Sequence, residues 1–112
     1  MPQPLPVLRG TLDLLVLKAL AWGPMHGYEI TEWLDERASG NLDVLDSALY
    51  QALYRMESRK LVSAEWGTTS ANRRARYYSI TTAGKKHLQK ETAGWMRYAT
   101  TVTAILGAPQ SA

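Results

Sequence analysis

The stretch DSALYQALYRMESRKLVSAEWGTTSANRRARYYSITT, residues 46–82, changes its hydrophobic period partway along. In its first part Leu49, Ala52, Leu53 and Met56 fall three or four positions apart, the spacing of one helical face. Asp46 is expected to cap that helix, because a carboxylate there accepts from the free amides of a first turn. The opposite side carries Ser47, Tyr50, Gln51, Tyr54 and Arg55. Hydroxyl, amide and guanidinium groups of this kind donate to phosphates and reach base edges, which an idle surface does not require. From Leu61 to Trp66 and from Ala75 to Ile80, the β-branched and aromatic content fits two paired strands. Their connection, GTTSANRRA, is polar and holds Arg73 and Arg74, with Arg76 just beyond. A helix over residues 46–59 and an arginine-bearing hairpin with its tip at 67–76 is the layout of a winged helix-turn-helix. That layout points to duplex DNA as the partner.

Charge runs the same way. The net charge is only +3, yet residues 1–46 hold seven acidic and three basic side chains, a balance of −4. Residues 47–112 hold three acidic and ten basic, a balance of +7, and no acid interrupts the run from Gly67 to Lys90. Such asymmetry fits a nucleic-acid surface or a solvated charged face, and by itself does not choose. At 112 residues the chain fits one small domain. The absence of cysteine excludes disulfides, a thiolate nucleophile and Cys-based zinc sites. The start, MPQPLPVLRG, lacks a signal peptide's basic head and apolar run, and no run approaches the ~18 apolar residues of a membrane span. A cytoplasmic protein with no membrane contact, cofactor or metal is expected. An enzyme finds no support, since H-E-x-x-H, a phosphate-binding glycine loop and G-x-S-x-G are all missing.

Outward from the central stretch, residues 1–8 read as a loose arm with three prolines. TLDLLVLKALAW, residues 11–22, is a helix with Thr11 as candidate cap. Leu12, Leu15, Val16, Ala19 and Leu20 make one stripe, and Leu14, Leu17 and Ala21 make the other side apolar too. A helix apolar nearly all round needs cover on both sides, and in a small chain a second protomer supplies it. Gly23-Pro24 ends this helix and opens a second, with His26 as a structural cap or turn residue. Ile30, Trp33 and Leu34 form its buried side; Glu29, Glu32, Asp35 and Glu36 turn an acidic face away from phosphates. Ser39-Gly40-Asn41 closes it. After the hairpin, Thr81 or Thr82 caps a long last helix reaching about Leu106. There Leu88, Trp95 and Val102 recur every seven residues, with Thr92, Tyr98 or Ala99, and Ile105 between them, a seam suited to pairing with another helix.

TLDLLVLKALAWGPMHGYEI, ALYQALYRMESRKLV and RRARYYSITTAGKKHL together resemble the PadR-like transcriptional regulators, over roughly residues 9–106. The resemblance implies a homodimeric winged-helix repressor whose C-terminal helix pairs the protomers. The family's Leu-Tyr pair falls at Leu49-Tyr50 and its basic wing at Arg73, Arg74 and Arg76. It also implies that Trp95 lines an interface pore for flat hydrophobic effectors. Two features depart from the family pattern. Ser47-Ala48 and Gln51 stand where Gly-Ser/Thr and Pro are usual, and Lys60 stands where glycine usually ends the recognition helix.

The expected fold is thus mostly α with a small β-hairpin (α+β). A winged helix-turn-helix spans residues 9–82, a dimerisation helix spans 83–107, and 1–8 and 108–112 are flexible ends. Ser47, Tyr50, Gln51, Tyr54, Arg73, Arg74 and Arg76 are the expected DNA contacts. Tyr50 and Tyr54 also suit a core, and a wing is also simply a solvated loop. Lys85 and Lys86 are weaker candidates for the same surface, and His87 reads as exposed. Leu12, Leu15, Leu88, Trp95, Tyr98, Ala99, Val102 and Ile105 are the expected dimer interface. Use of the winged helix for protein–protein assembly is the alternative, and the basic wing argues against it.

Overall fold

The computed structural model describes residues 3–8 and 10–110; the expected flexible residues 1–2 and 111–112 and the domain start at residue 9 lie outside the described residues. In chain order the elements are β1 (Leu5–Pro6), α1 (Leu12–Leu20), α2 (Gly27–Ala38), β2 (Leu42–Asp43), α3 (Asp46–Ser58), β3 (Val62–Thr68), β4 (Arg74–Ile80) and α4 (Thr82–Leu106). The α+β winged helix-turn-helix and the long last helix stand as the sequence implied.

Helix α1 lies at the centre, touching α2, α3, α4 and β4. Val16, Leu17, Ala19 and Leu20 are buried there against Ile30 and Leu34 of α2 and the α3 stripe of Leu49, Ala52, Leu53 and Met56. Leu61, Val62 and Tyr78 close the core from the hairpin side. Complete burial of a side chain such as Leu53 contributes about 1.5–3 kcal/mol. Trp33, half-buried, covers the flank of α2, with the Arg37 guanidinium 3.9 Å over its ring and Trp22 beside it.

Local chemistry sets the helix ends. His26 caps α2: its Nδ1 accepts from the Glu29 amide at 3.3 Å, and Glu29 Oε1 accepts from the His26 amide at 3.1 Å. This is a capping box with histidine in the place usual for serine or threonine. His26→Ala should lower stability by about 1 kcal/mol, measurable by thermal unfolding; an unshifted midpoint would mean that the cap contributes nothing. At α3 the expectation fails. Leu45, not Asp46, is the N-cap, and no side chain caps the helix, because Asp46 already holds the first helical position. At the other end a lysine occupies the left-handed position that favours glycine. Lys60 has φ 61°, its amide donates to Glu57 O at 3.0 Å, and the Leu61 amide donates to Met56 O at 2.9 Å. That is a Schellman closure, with buried Leu61 and Met56 making its apolar contact.

Two strand pairings escaped the sequence. The arm expected to be loose is tied down, Leu5 and Pro6 lying parallel to Leu42 and Asp43, with the Leu5 amide donating to Asn41 O at 2.8 Å. Met25 and Tyr78 exchange backbone hydrogen bonds of 3.1 and 2.8 Å, so the turn before α2 adds a short edge to the hairpin.

Candidate nucleic-acid interface

Helix α3 turns its apolar stripe inward, which leaves Ser47, Tyr50, Gln51 and Tyr54 exposed in a row on the far side. Tyr54 is 72% exposed and stands clear of the core. Tyr50 is more constrained, because its ring lies over the buried Gly27 backbone at the start of α2; a Cβ added at Gly27 would overlap the phenol. Tyr50 therefore fixes how α2 and α3 meet while keeping one side open. Arg55, on the same face, is held at its edge by an ion pair to Asp13 of α1 at 2.9 Å.

The hairpin pairs Val62 with Ile80 through Thr68 with Arg74 in antiparallel register. Its tip is tighter than the 67–76 expected, since the strands run on to Thr68 and Arg74. Thr69 closes the turn: its amide donates to Arg73 O at 2.8 Å, and its hydroxyl oxygen accepts from the Arg73 amide at 3.1 Å. Asn72 takes the left-handed position, φ 62°, a conformation its short polar side chain tolerates.

The three wing arginines differ. The Arg73 side chain projects from the turn and has no ion pair among the described residues. The Arg74 guanidinium lies 4.5 Å from the centroid of the Trp66 ring. Arg76 donates to Glu57 Oε2 at 2.7 Å, linking β4 to the end of α3. Tyr78 is core, whereas Tyr77 packs on the other hairpin face against the His26 ring and Gly67. A cleft of about 390 Å³ opens between the α2 start, Tyr50 and the wing, lined by Trp66, Arg73, Arg74 and Arg76. Trp66 and Glu57 were not singled out by the sequence. The alternation of β3 was the available signal for Trp66, but the partner of Glu57 depends on tertiary packing.

The last helix behaves differently. Leu12, Leu15 and Leu88, expected at a partner, are half-buried against the chain's own core. Ala99 and Val102 are half-buried, while Tyr98 and Ile105 are exposed. Trp95 is 41% exposed and borders two grooves between α1 and α4. One, of about 660 Å³, is mainly apolar with Leu14, Leu15, Leu88 and Met96. The other, of about 460 Å³, has His87, Glu91 and Tyr98 on its wall. His87 is thus half-covered rather than exposed, and Lys85 and Lys86 are on the first turns of α4, Lys85 exposed.

No helix among the described residues is long and apolar enough to cross a membrane, and no group of three His, Cys, Asp or Glu is arranged to hold a metal. An amphipathic helix packed across a second helix and flanked by an arginine-tipped hairpin defines a winged-helix protein of the DNA-binding kind. The chain belongs to the transcriptional regulator PadR-like family, whose model matches residues 16–90. It is similar to a PadR-like transcriptional regulator of Bacillus cereus, at 26% identity and TM-score 0.78, over 91% of this chain and 97% of that one. A PadR family transcription regulator of Clostridium difficile is 29% identical with TM-score 0.76, over 88% of this chain and all (100%) of the other. An uncharacterized protein of Lysinibacillus sphaericus is 28% identical over 89 residues, 80% of this chain and 82% of its own. The chain is accordingly a DNA-binding transcriptional regulator and not an enzyme.

Proposed function

We propose that the chain is a cytoplasmic, homodimeric repressor that reads a pseudo-palindromic operator. The winged helix-turn-helix of residues 9–82 is the reading head, and residues 83–107 pair the protomers. One observation carries this reading: Tyr50, from the exposed row of α3, and the wing arginines border a single cleft. Ser47, Gln51 and Tyr54 face the major groove, where a glutamine can pair with an adenine edge. Tyr50 and the wing meet the backbone and the flanking minor groove. A two-fold axis through α4 sets the two heads about one duplex turn, ~34 Å, apart. Seated across its operator, such a dimer acts by occupying the site that polymerase needs. A flat hydrophobic effector beside Trp95 would change the spacing of the heads and release DNA, provided that it binds one spacing more tightly than the other.

Fluorescence anisotropy tests this with a labelled duplex from upstream of the chain's own gene and a scrambled duplex, each at low and physiological salt. Preference for the upstream duplex that survives physiological salt supports the operator reading. No binding at low salt would leave protein–protein assembly as the use of the fold. Arg73→Ala with Arg74→Ala should weaken binding to both duplexes. The plot of log affinity against log salt should flatten by about 0.9 for each phosphate that the variant no longer neutralises. Unchanged affinity would take the wing out of the interface.

A further inference from the structure

Trp66 is 59% exposed on β3, well beyond the part of the hairpin that covers the core. Strand alternation puts Ala64, Trp66 and Thr68 on one face with Tyr78, Arg76 and Arg74, their partners across the ladder. Tyr78 carries this face into the core, whereas Trp66 overhangs the cleft that Tyr50 borders. Arg74 lies diagonally across from Trp66, a separation that an aromatic ring and a long side chain can span. Its guanidinium does so at 4.5 Å from the ring centroid. Arg76, directly opposite Trp66, turns instead to Glu57 at 2.7 Å.

We propose that Trp66 is a positioning residue for DNA contact. Its ring holds the Arg74 guanidinium in the cleft shared with Tyr50, where Arg74 meets the backbone phosphate between the two grooves. Arg76 serves as a strut tying the wing to α3. The proposal rests on the reading that the wing lies on duplex DNA. Its geometry is self-consistent, because stacking uses the flat face of a guanidinium and leaves its N–H edge free to donate in plane to phosphate oxygens. An arginine laid on a ring before contact has already given up part of the rotamer freedom that docking would otherwise remove. Arg76 lacks that availability, since a carboxylate already engages its edge. The strut also explains why a basic strand residue is matched to an acid at the far end of α3.

The test compares wild type with Trp66→Leu, Trp66→Tyr, Arg74→Ala, Arg76→Ala and the double variant Trp66→Leu/Arg74→Ala on the two duplexes above. Thermal unfolding of each variant establishes that it is folded. Trp66→Leu keeps an apolar strand residue and should weaken binding about two- to five-fold for each wing engaged, the scale of an exposed cation–π contact. Its salt slope should stay at the wild-type value, because no charge is removed. Trp66→Tyr, which retains a ring face, should restore most of the affinity. Arg74→Ala should flatten the salt slope, and adding Trp66→Leu to it should weaken binding no further. Arg76→Ala should leave the slope alone. Trp66→Leu at wild-type affinity, or losses from Trp66→Leu and Arg74→Ala that simply multiply, would overturn the positioning role. A slope flattened by Arg76→Ala would overturn the strut. If wild type binds neither duplex at low salt, the regulator reading itself fails, a result distinct from either of these.

Discussion

Gly84→Ala should cost about 3 kcal/mol of stability, even though alanine is the better helix former. Gly84 is buried in the first turn of α4, and a Cβ there would overlap the Leu61 carbonyl oxygen and come within 2.8 Å of Ile80 Cγ1. Neither neighbour can yield easily. The Leu61 carbonyl accepts from the Thr81 amide at 3.0 Å, and the Leu61 amide is fixed to Met56 by the closure of α3. The Thr81 hydroxyl, besides accepting from the Gly84 amide at 3.0 Å, donates toward the Lys60 and Leu61 carbonyls at 2.7 and 3.0 Å. One alanine therefore pushes α4 off the junction where α3, the hairpin and α4 meet. At roughly 4–8 °C per kcal/mol for a domain of this size, the unfolding midpoint should fall by more than ten degrees or so. Gly94 supplies the opposite sign within the same helix. Nothing lies within 4 Å of its missing Cβ, so Gly94→Ala should stabilise by up to about 1 kcal/mol. Equal midpoints for the two variants in a thermal scan followed by circular dichroism would contradict this picture of the junction.

That junction also marks where the sequence stops being readable. Leu49, Ala52, Leu53 and Met56 are fully buried because a helical stripe is a local pattern that only one face of α3 can satisfy. At position 60 the resemblance to a family that usually has glycine there pointed to the helix end, and Lys60 does take a left-handed conformation, φ 61°. Asp46 misled because capping depends on where the first helical turn begins. The chain enters α3 through extended Leu45, which moves Asp46 inside by one residue. Pairings between distant positions were not legible at all. Glu57 with Arg76, Asp13 with Arg55, and Leu5 with Leu42 meet only after the helices have packed. The wing arginines were visible as a set, but their division into a free tip, a stacked residue and a strut follows from strand register. The expected strands, Leu61 to Trp66 and Ala75 to Ile80, lie close to the observed Val62–Thr68 and Arg74–Ile80, so attention to alternation along β3 would have brought Trp66 forward.

The largest effect on DNA binding should come from a residue far from the DNA-facing surface. Helix α4 meets the rest of the chain through α1 and β4, and its outer half carries Tyr98, Ile105 and Leu106 at 69%, 67% and 80% exposure. Apolar groups left this open along one helix need a cover, and in the homodimer proposed above a second copy meeting them about a two-fold axis would supply it. Val102→Asp would set a carboxylate into that seam from each protomer. An unpaired charge there is costly enough to separate the protomers. The head should nevertheless remain folded, since the core from Val16 to Tyr78 is built without Val102. A dimer that has seated one head offers its second at an effective concentration far above free solution, so loss of pairing should weaken operator binding by about 10²–10⁴-fold. Sedimentation equilibrium should report a monomer, circular dichroism should show it still helical, and anisotropy should report that monomer binding the upstream duplex weakly and without cooperativity. A variant that stays dimeric would move the seam off this part of α4. A true monomer with undiminished affinity would mean that each head reads its half-site alone, and the two-fold operator would have to be abandoned.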